Sequence, residues 1–455
     1  MATDIIVFII LFKIWNAKLR KFEQKNVTLP KIIYQMKKLI CICAAALLLN
    51  SCNDDSEPTP VATAVQRAVI VYMSGENNLG TQGYLGEDLN EIITGSKSIP
   101  EDDRLVVFVD NSSSRETPYI IEVRNEVCDT IVKFDKDFYA SDPARFVDII
   151  KTIQEKYQAK EYGLVLWGHA TGWLVTADSI AESKPANGRK HAYGADTGNN
   201  QSYSYERWMN ITQMARAMKQ LPHFKYIFAD CCCMMNVEVA YELRNATDYL
   251  IGSPAEIPGQ GAPYHIVMKD LFLRSDDFYK TLMDDYYNYY ISLYKNIEYT
   301  GSSMTSYLKG HSVPLAVVDM RYIEQLASAT RNLLKEPDAF ETDSVPYYFI
   351  TDVPIMYDMG CLLERICSND DYRLWKEALN KAVPYRLFSA RWMTIYNTLR
   401  NDMKRNYFLF NEDNFTGISM FVPKTLYNFS SLYQYNATIP SFSWYQAVGW
   451  DRFAD

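Results

Sequence analysis

Three consecutive cysteines, Cys231, Cys232 and Cys233, follow the apolar run Tyr226-Ile227-Phe228-Ala229 and Asp230. A deprotonated thiol is a strong nucleophile, so a cysteine held in the right surroundings can attack a carbonyl carbon. The apolar run reads as a short buried strand. A helical pattern starts at about Met234, with Val237, Ala240 and Tyr241 on one face. A thiol at that junction would meet the positive end of the helix dipole, which favours thiolate. It would also stand where α/β folds bind ligands, beyond the carboxyl ends of the strands. The nucleophile needs a base, and the chain has five histidines: His169, His191, His223, His265 and His311. His169 repeats the geometry. Tyr162 to Gly168 reads as a second buried strand ending in the imidazole, followed by the turn Ala170-Thr171-Gly172-Trp173. If the two strands are parallel neighbours, His169 and the cysteine turn emerge on one sheet edge as a Cys/His pair distant in sequence and close in space.

The neighbouring residues admit plainer roles. Cys231 and Cys233 read as small buried hydrophobes. Zinc is not expected, because adjacent thiols lack the C-x2-C separation. The other four histidines read as structural or surface residues. Asp230 could cap the following helix or supply a buried carboxylate to a pocket. Cys361 and Cys367 sit in a helical pattern at a spacing that points them apart, so no disulfide is expected between them.

Several stretches together resemble the clostripain family of caspase-like cysteine peptidases. They are Leu164-Val165-Leu166-Trp167-Gly168-His169-Ala170-Thr171-Gly172-Trp173, then Phe228 to Leu243, then Ile251 to Tyr264, with Val69 to Leu79 as the usual first strand and loop. The likeness is good over about 67 to 265 and looser beyond. It implies an α/β fold, a caspase-like sandwich with a mainly parallel central sheet flanked by helices, plus a mostly helical C-terminal region. It implies Cys232 as nucleophile, His169 as base, and the backbone amides of Ala170 and Cys232 as the oxyanion hole. Asp230 matches the aspartate at the floor of the S1 pocket, which pairs with a P1 Arg or Lys. The implied activity is cysteine endopeptidase cleavage after Arg or Lys through an acyl-enzyme. Relatives are activated by cutting a linker between base and nucleophile; the resemblance implies Arg189 or Lys190 as such a site, with a simple surface loop as the alternative reading. Some relatives depend on calcium, but no EF-hand-like loop is visible, and neither a cofactor nor a metal site is expected from motifs. The chain departs from the family at Ala170, where glycine is usual, and at Gln260 and Ala262. A catalytically silent peptide- or protein-binding lipoprotein on the same fold is the alternative, and an amidase or transpeptidase using the same pair is a third.

The leader has its own chemistry. Met36-Lys37-Lys38 is a basic start, Leu39 to Leu49 an apolar segment too short to span a bilayer, and Leu49-Asn50-Ser51-Cys52 its end. That resembles a bacterial lipoprotein signal with Cys52 as the lipidated residue, anchoring an exported protein to the outer membrane or cell surface. Residues 1–35 then read as a mis-assigned extension, 36–52 as the signal peptide, 53–66 as a linker, 67–265 as the catalytic core and 266–455 as a region packed on it. A net charge of -9 gives no reason to expect nucleic acid. The expected partners are peptide substrates with a basic P1 residue and, through the lipid, a membrane.

The elements that must position the pair follow. Strands are expected at Arg67–Met73, Leu105–Val109 and Tyr249–Ile251, and a hairpin at Tyr119–Val123 and Thr130–Phe134. Asp142-Pro143 opens a helix bearing Phe146, Val147, Ile150, Ile153 and Tyr157 at helical spacing, directly before the His169 strand. Strand, helix and strand in short order predict right-handed crossovers and a parallel sheet. A helix is expected over Trp208–Leu221. The Pro/Gly loop Ser253 to Tyr264 should border the site. Beyond it, helices are expected at Phe278–Tyr294, Tyr322–Leu334, Met359–Ile366 and Tyr372–Val383, and strands at Val313–Val318 and Gly417–Val422.

Overall fold

Strand β1 (Val65–Gly75) is apolar on both faces and lies at the centre of the sheet. Ala68, Ile70 and Tyr72 enter one core layer, and Val69, Val71 and Met73 the other. A strand covered on both sides must be hydrophobic throughout, which is the signature of a parallel sheet between helices. β1 pairs in parallel with β2 (Arg104–Asn111) and with β5 (Ala159–Gly168). The parallel set continues through β8 (Phe224–Asp230) and β9 (Thr247–Gly252). The hairpin β3 (Tyr119–Arg124) and β4 (Val127–Lys133) closes one edge. At the other edge β10 (Leu315–Asp319) and β12 (Tyr385–Leu387) run antiparallel, giving, among the described residues, nine strands in the order β12-β10-β9-β8-β5-β1-β2-β3-β4. Two small pairs stand apart: β6 (Tyr193–Asp196) with β7 (Arg207–Met209), and β11 (Tyr357–Asp358) with β13 (Ser419–Met420). This computed structural model describes residues 65–113, 115–175, 192–198, 206–295, 312–348, 354–389, 411–429 and 435–453. Cys52, Arg189 and Lys190 lie outside the described residues.

Helices cover both faces. On one side lie α3 (Pro143–Lys156), α4 (Ile211–Met218), α5 (Val237–Leu243), α7 (Ile323–Arg331) and α8 (Asn369–Ala382). On the other lie α2 (Tyr84–Gly95), which follows the short α1 (Asn78–Thr81), and α6 (Phe278–Tyr294). The sequence cues for α3 act as expected: the Asp142 side chain accepts the Ala144 and Arg145 N–H groups, and Pro143 fills the first turn. The region beyond residue 266 adds β10 and β12 to the sheet and α6 to its face.

Two expected boundaries move. The helix expected over Trp208–Leu221 begins instead at Ile211, behind a capping box of Asn210 and Gln213, because Arg207–Met209 pairs as a strand. The helix after the cysteines begins at Val237 rather than Met234. The Cys233 and Met235 amides donate to Ala255 and Ser253 carbonyls, and the Met235 carbonyl accepts from Ser419. Those bonds engage the backbone amides and carbonyl of the segment, so helical hydrogen bonding cannot start there.

Arg67 fastens the two ends of the core. Its guanidinium is 1% exposed. It donates to Glu161 at 2.8 and 3.2 Å and to the Leu271 and Leu273 carbonyls at 3.1 and 2.6 Å. Glu161 is itself partly solvated, so the ion pair contributes little. The two carbonyls would be left without this donor. Arg67→Met is expected to lower unfolding stability by about 2–3 kcal/mol, read as a lower urea midpoint with an unchanged slope.

Candidate active site

The β5/β8 register pairs Leu166 with Ala229 and Trp167 with Asp230. His169 and Cys232 therefore each lie two residues past the last paired position on adjacent parallel strands, which run ~4.8 Å apart. The expected juxtaposition at one rim is present. A direct sulfur–imidazole hydrogen bond is not made: each group has another partner. The Ile257 N–H points at the Cys232 sulfur at 3.4 Å, and the Ile257 carbonyl lies 4.0 Å from it. The Ser253–Tyr264 loop thus does border the site, and it sits over the sulfur.

Cys233 has φ 59. A left-handed non-glycine residue is rare and costs of order 1–3 kcal/mol. Here it turns the chain sharply, so that Cys231 and Cys233 are buried in the core while Cys232 keeps an edge open to solvent. Burial pushes the Cys232 thiol up to about 12, with the Glu256 carboxylate adding to the effect. The expected thiolate at a helix start is therefore corrected: α5 begins too far along the chain, and desolvation governs the resting sulfur.

The His169 ring is bonded through Nε2 to Asn78 Oδ1 at 2.6 Å, and the Trp208 ring lies 6.2 Å away. With the amide oxygen accepting, Nε2 carries the proton and Nδ1 is the basic nitrogen. Burial pulls the imidazole down to about 4, so it is neutral at pH 7. Asn78 was not singled out by the sequence. It opens α1 at the carboxyl end of β1, and the rule that α/β sites form on that rim is the signal that points to it.

Ala170 takes ordinary backbone angles; the left-handed positions of this turn are Gly168 (φ 141) and Gly172 (φ 64). Alanine is therefore unstrained at the family's glycine position. Gly172 is the residue that cannot change. A Cβ there would stand 2.4 Å from both the Cys233 carbonyl and Asn236 Oδ1. Asn236 in turn accepts the Trp173 N–H at 3.1 Å and donates to the Cys233 carbonyl at 2.8 Å. One buried amide thus joins the histidine turn to the cysteine turn. Among the described residues the Ala170 and Cys232 N–H groups have no backbone acceptor.

Asp230 is buried and does not cap a helix. It accepts from the Ala262 N–H at 3.0 Å, Tyr264 Oη at 2.7 Å and Tyr286 Oη at 3.2 Å. Burial raises its carboxyl to about 6, with those three donors opposing the rise. A second carboxylate, Asp88, stands beside it: a Cβ on Gly261 would lie 2.6 Å from Asp230 Oδ2 and 3.2 Å from Asp88 Oδ2. Asp88 accepts the Trp167 indole N–H at 2.6 Å. Burial first, then the charge of Asp230, pushes it up to about 9. Asp88 sits on the Leu85–Ile92 face of α2, and a charged residue at i+3 on an apolar helix face is the cue that sequence reading passed over.

Comparison with known proteins bears on the family and the fold. The clostripain family model matches residues 71–454. A secreted C11 cysteine protease from Bacteroides thetaiotaomicron, solved with an irreversible peptide inhibitor, is 30% identical, covers 85% of this chain and 99% of its own, and superposes with a TM-score of 0.69. An inactive zymogen C11 protease from Parabacteroides distasonis, 24% identical over 85% of this chain and 98% of its own, shares the fold at a TM-score of 0.66. A search of curated proteins gives no match. Family match, sheet topology and the two turns on one rim lead to the same conclusion, that this chain belongs to the clostripain family of cysteine peptidases.

Proposed function

We propose that the chain is an endopeptidase cleaving after Arg or Lys, with Cys232 as nucleophile and His169 as base. The observation that carries this reading is the β5/β8 register, which ends both residues on one rim. Cys232 Sγ attacks the scissile carbonyl carbon and its proton passes to His169. The same imidazole then protonates the departing amine, and water hydrolyses the thioester. Both groups rest neutral, so proton transfer accompanies attack. The oxyanion falls to the Ala170 and Cys232 amides. The chemical step uses no cofactor. Asp230, with Asp88 beside it, supplies negative charge to a basic P1 side chain; neither carboxylate has a Lys or Arg partner among the described residues. Ile257 must leave the sulfur before substrate reaches it. An Arg-ended chloromethylketone is expected to alkylate Cys232, mapped by peptide mass spectrometry. Labelling at another cysteine, or none under reducing conditions, would overturn the assignment.

We also propose that the enzyme is made as a precursor cut at Arg189 or Lys190, and that it is exported and lipid-anchored through Cys52. The support for the cut is its position before β6, whose Tyr193 bridges Ala170. The support for the anchor is the leader sequence; among the described residues no helix is long and apolar enough to cross a membrane. Mass spectrometry of the mature protein should find an acylated Cys52 and a nick at 189 or 190 that disappears in Cys232→Ala. Any other mature N-terminus, or a nick persisting at that site in the Arg189/Lys190 double variant, refutes the corresponding half.

A further inference from the structure

The rim continues past His169. Reading across the sheet, Cys232 follows β8, His169 follows β5, Glu76 follows β1, and Asp110 lies near the end of β2. Glu76, Asp110 and Asp137 each bring an oxygen within 4.8 Å of the other two. Asp196, at the end of β6, is a fourth acidic neighbour of Asp110.

What sets this cluster apart from an ordinary acidic surface is burial without partners. Asp110 is 0% and Glu76 1% exposed. Both carboxylate oxygens of Asp110, Oε2 of Glu76 and Oδ1 of Asp137 are buried and lack a hydrogen-bond donor. Asp196 differs: its oxygens accept the Ala140 and Gly198 amides. A buried carboxylate with neither donor nor counter-charge is among the most costly arrangements in a protein interior. The buried Asp110 and Glu76, the latter accepting a hydroxyl donor from Thr197 on Oε1 at 3.4 Å, converge with the half-exposed Asp137 as a donor set for a cation.

We propose that Glu76, Asp110 and Asp137 bind a hard divalent cation, calcium by preference. Carboxylate oxygens suit calcium, magnesium or manganese rather than thiophilic metals. An oxygen span within 4.8 Å can be bridged by one ion with ligands at roughly 2.4 Å. Calcium tolerates irregular geometry and completes its shell with water. There is a route for both: an open cleft of about 350 Å³ lined by Asp137, Phe138, Tyr139, Asp142, Arg145 and Gly198 reaches the cluster at Asp137. The ligands come from three separate segments of chain, so no local motif announces them. The ion would also fix the loop after β1, in which Asn77 donates to the Ser74 and Ala195 carbonyls and Asn78 holds the His169 ring.

The test uses the purified full-length chain, stripped with EDTA and titrated with terbium and with calcium. Tyr139 in the cleft wall should sensitise terbium luminescence, and calcium should displace the signal. Calcium at about 10 mM should raise Tm by roughly 3–5 °C. Asp110→Asn and Asp137→Asn should each abolish both responses. Asp110→Asn should leave the metal-free Tm unchanged or higher, since it removes a buried carboxyl whose oxygens no donor satisfies. Asp137, half-exposed at the cleft, provides a variant with little risk to folding. Absence of both responses in the wild-type chain, or undiminished responses in both variants, would overturn the proposal.

Discussion

Cys232→Ala is expected to reduce hydrolysis of Arg- and Lys-ended peptide amides by at least about 10⁴-fold, with the fold intact. The replaced sulfur is partly exposed and its hydrogen-bond partners belong to one residue, Ile257, so the core loses little. The backbone amides of Ala170 and residue 232 survive the change, and residual rate above the uncatalysed reaction would come from them. His169→Ala should cost a similar factor, and the double variant little more, because nucleophile and base act as one unit. A fluorogenic assay under reducing conditions reads all three. Identical rates for wild type and Cys232→Ala would favour the silent, peptide-binding reading of this chain.

The resting protonation states add a pH signature. The imidazole is held near 4 and the thiol near 12. Between those values both are neutral, so alkylation of Cys232 by a small neutral reagent should be slow at pH 7 and rise toward alkaline pH. A preformed thiolate–imidazolium pair would instead react quickly and nearly independently of pH from 5 to 8. The structural cause is burial of both groups, with the Glu256 carboxylate adding to the rise at the sulfur and the Ile257 N–H opposing it, while the late start of α5 withdraws the helix dipole.

How much of this the sequence disclosed can be traced residue by residue. The apolar runs ending at His169 and Cys232 were legible because a strand buried on both faces leaves an unbroken hydrophobic stretch. The cap at Asp142-Pro143 was legible because it is local. The late start of α5 was not, since it depends on carbonyls of residues 253 and 255 and an amide from residue 419. Asn78, Asn236 and the Glu76–Asp110–Asp137 cluster were missed for the same reason. Each acts through partners that are remote in the chain, and only the sheet brings them together. Ala170 shows the converse. The chain departs there from the family's usual glycine, yet the backbone carries no strain because the left-handed angles fall on Gly168 and Gly172.

Asp230→Asn is expected to lower kcat/KM for Arg- and Lys-ended substrates by about 10²–10³-fold. Asp230 titrates near 6 and Asp88 near 9. The pair therefore carries about one negative charge across neutral pH, in a wall whose neighbours are Tyr264, Tyr286 and backbone amides. As pH falls through 6 the Asp230 carboxyl gains its proton and the charge that would meet a guanidinium is lost. The wild-type kcat/KM for basic substrates should thus decline below pH 6, well before His169 protonates near 4. In Asp230→Asn that decline should vanish and only the lower limb remain. A purely bracing role predicts something else. If Asp230 serves only to hold Tyr264 and Tyr286, its loss should depress cleavage after neutral residues, and alkylation of Cys232 by iodoacetamide, as much as cleavage after arginine. Selective loss for basic P1 residues, with alkylation unchanged, is the result a charge-recognising pocket requires. Asp88→Asn sharpens the comparison. It removes a group that is already protonated at pH 7, so it should leave both the charge at that pH and the Asp230 midpoint near 6 in place.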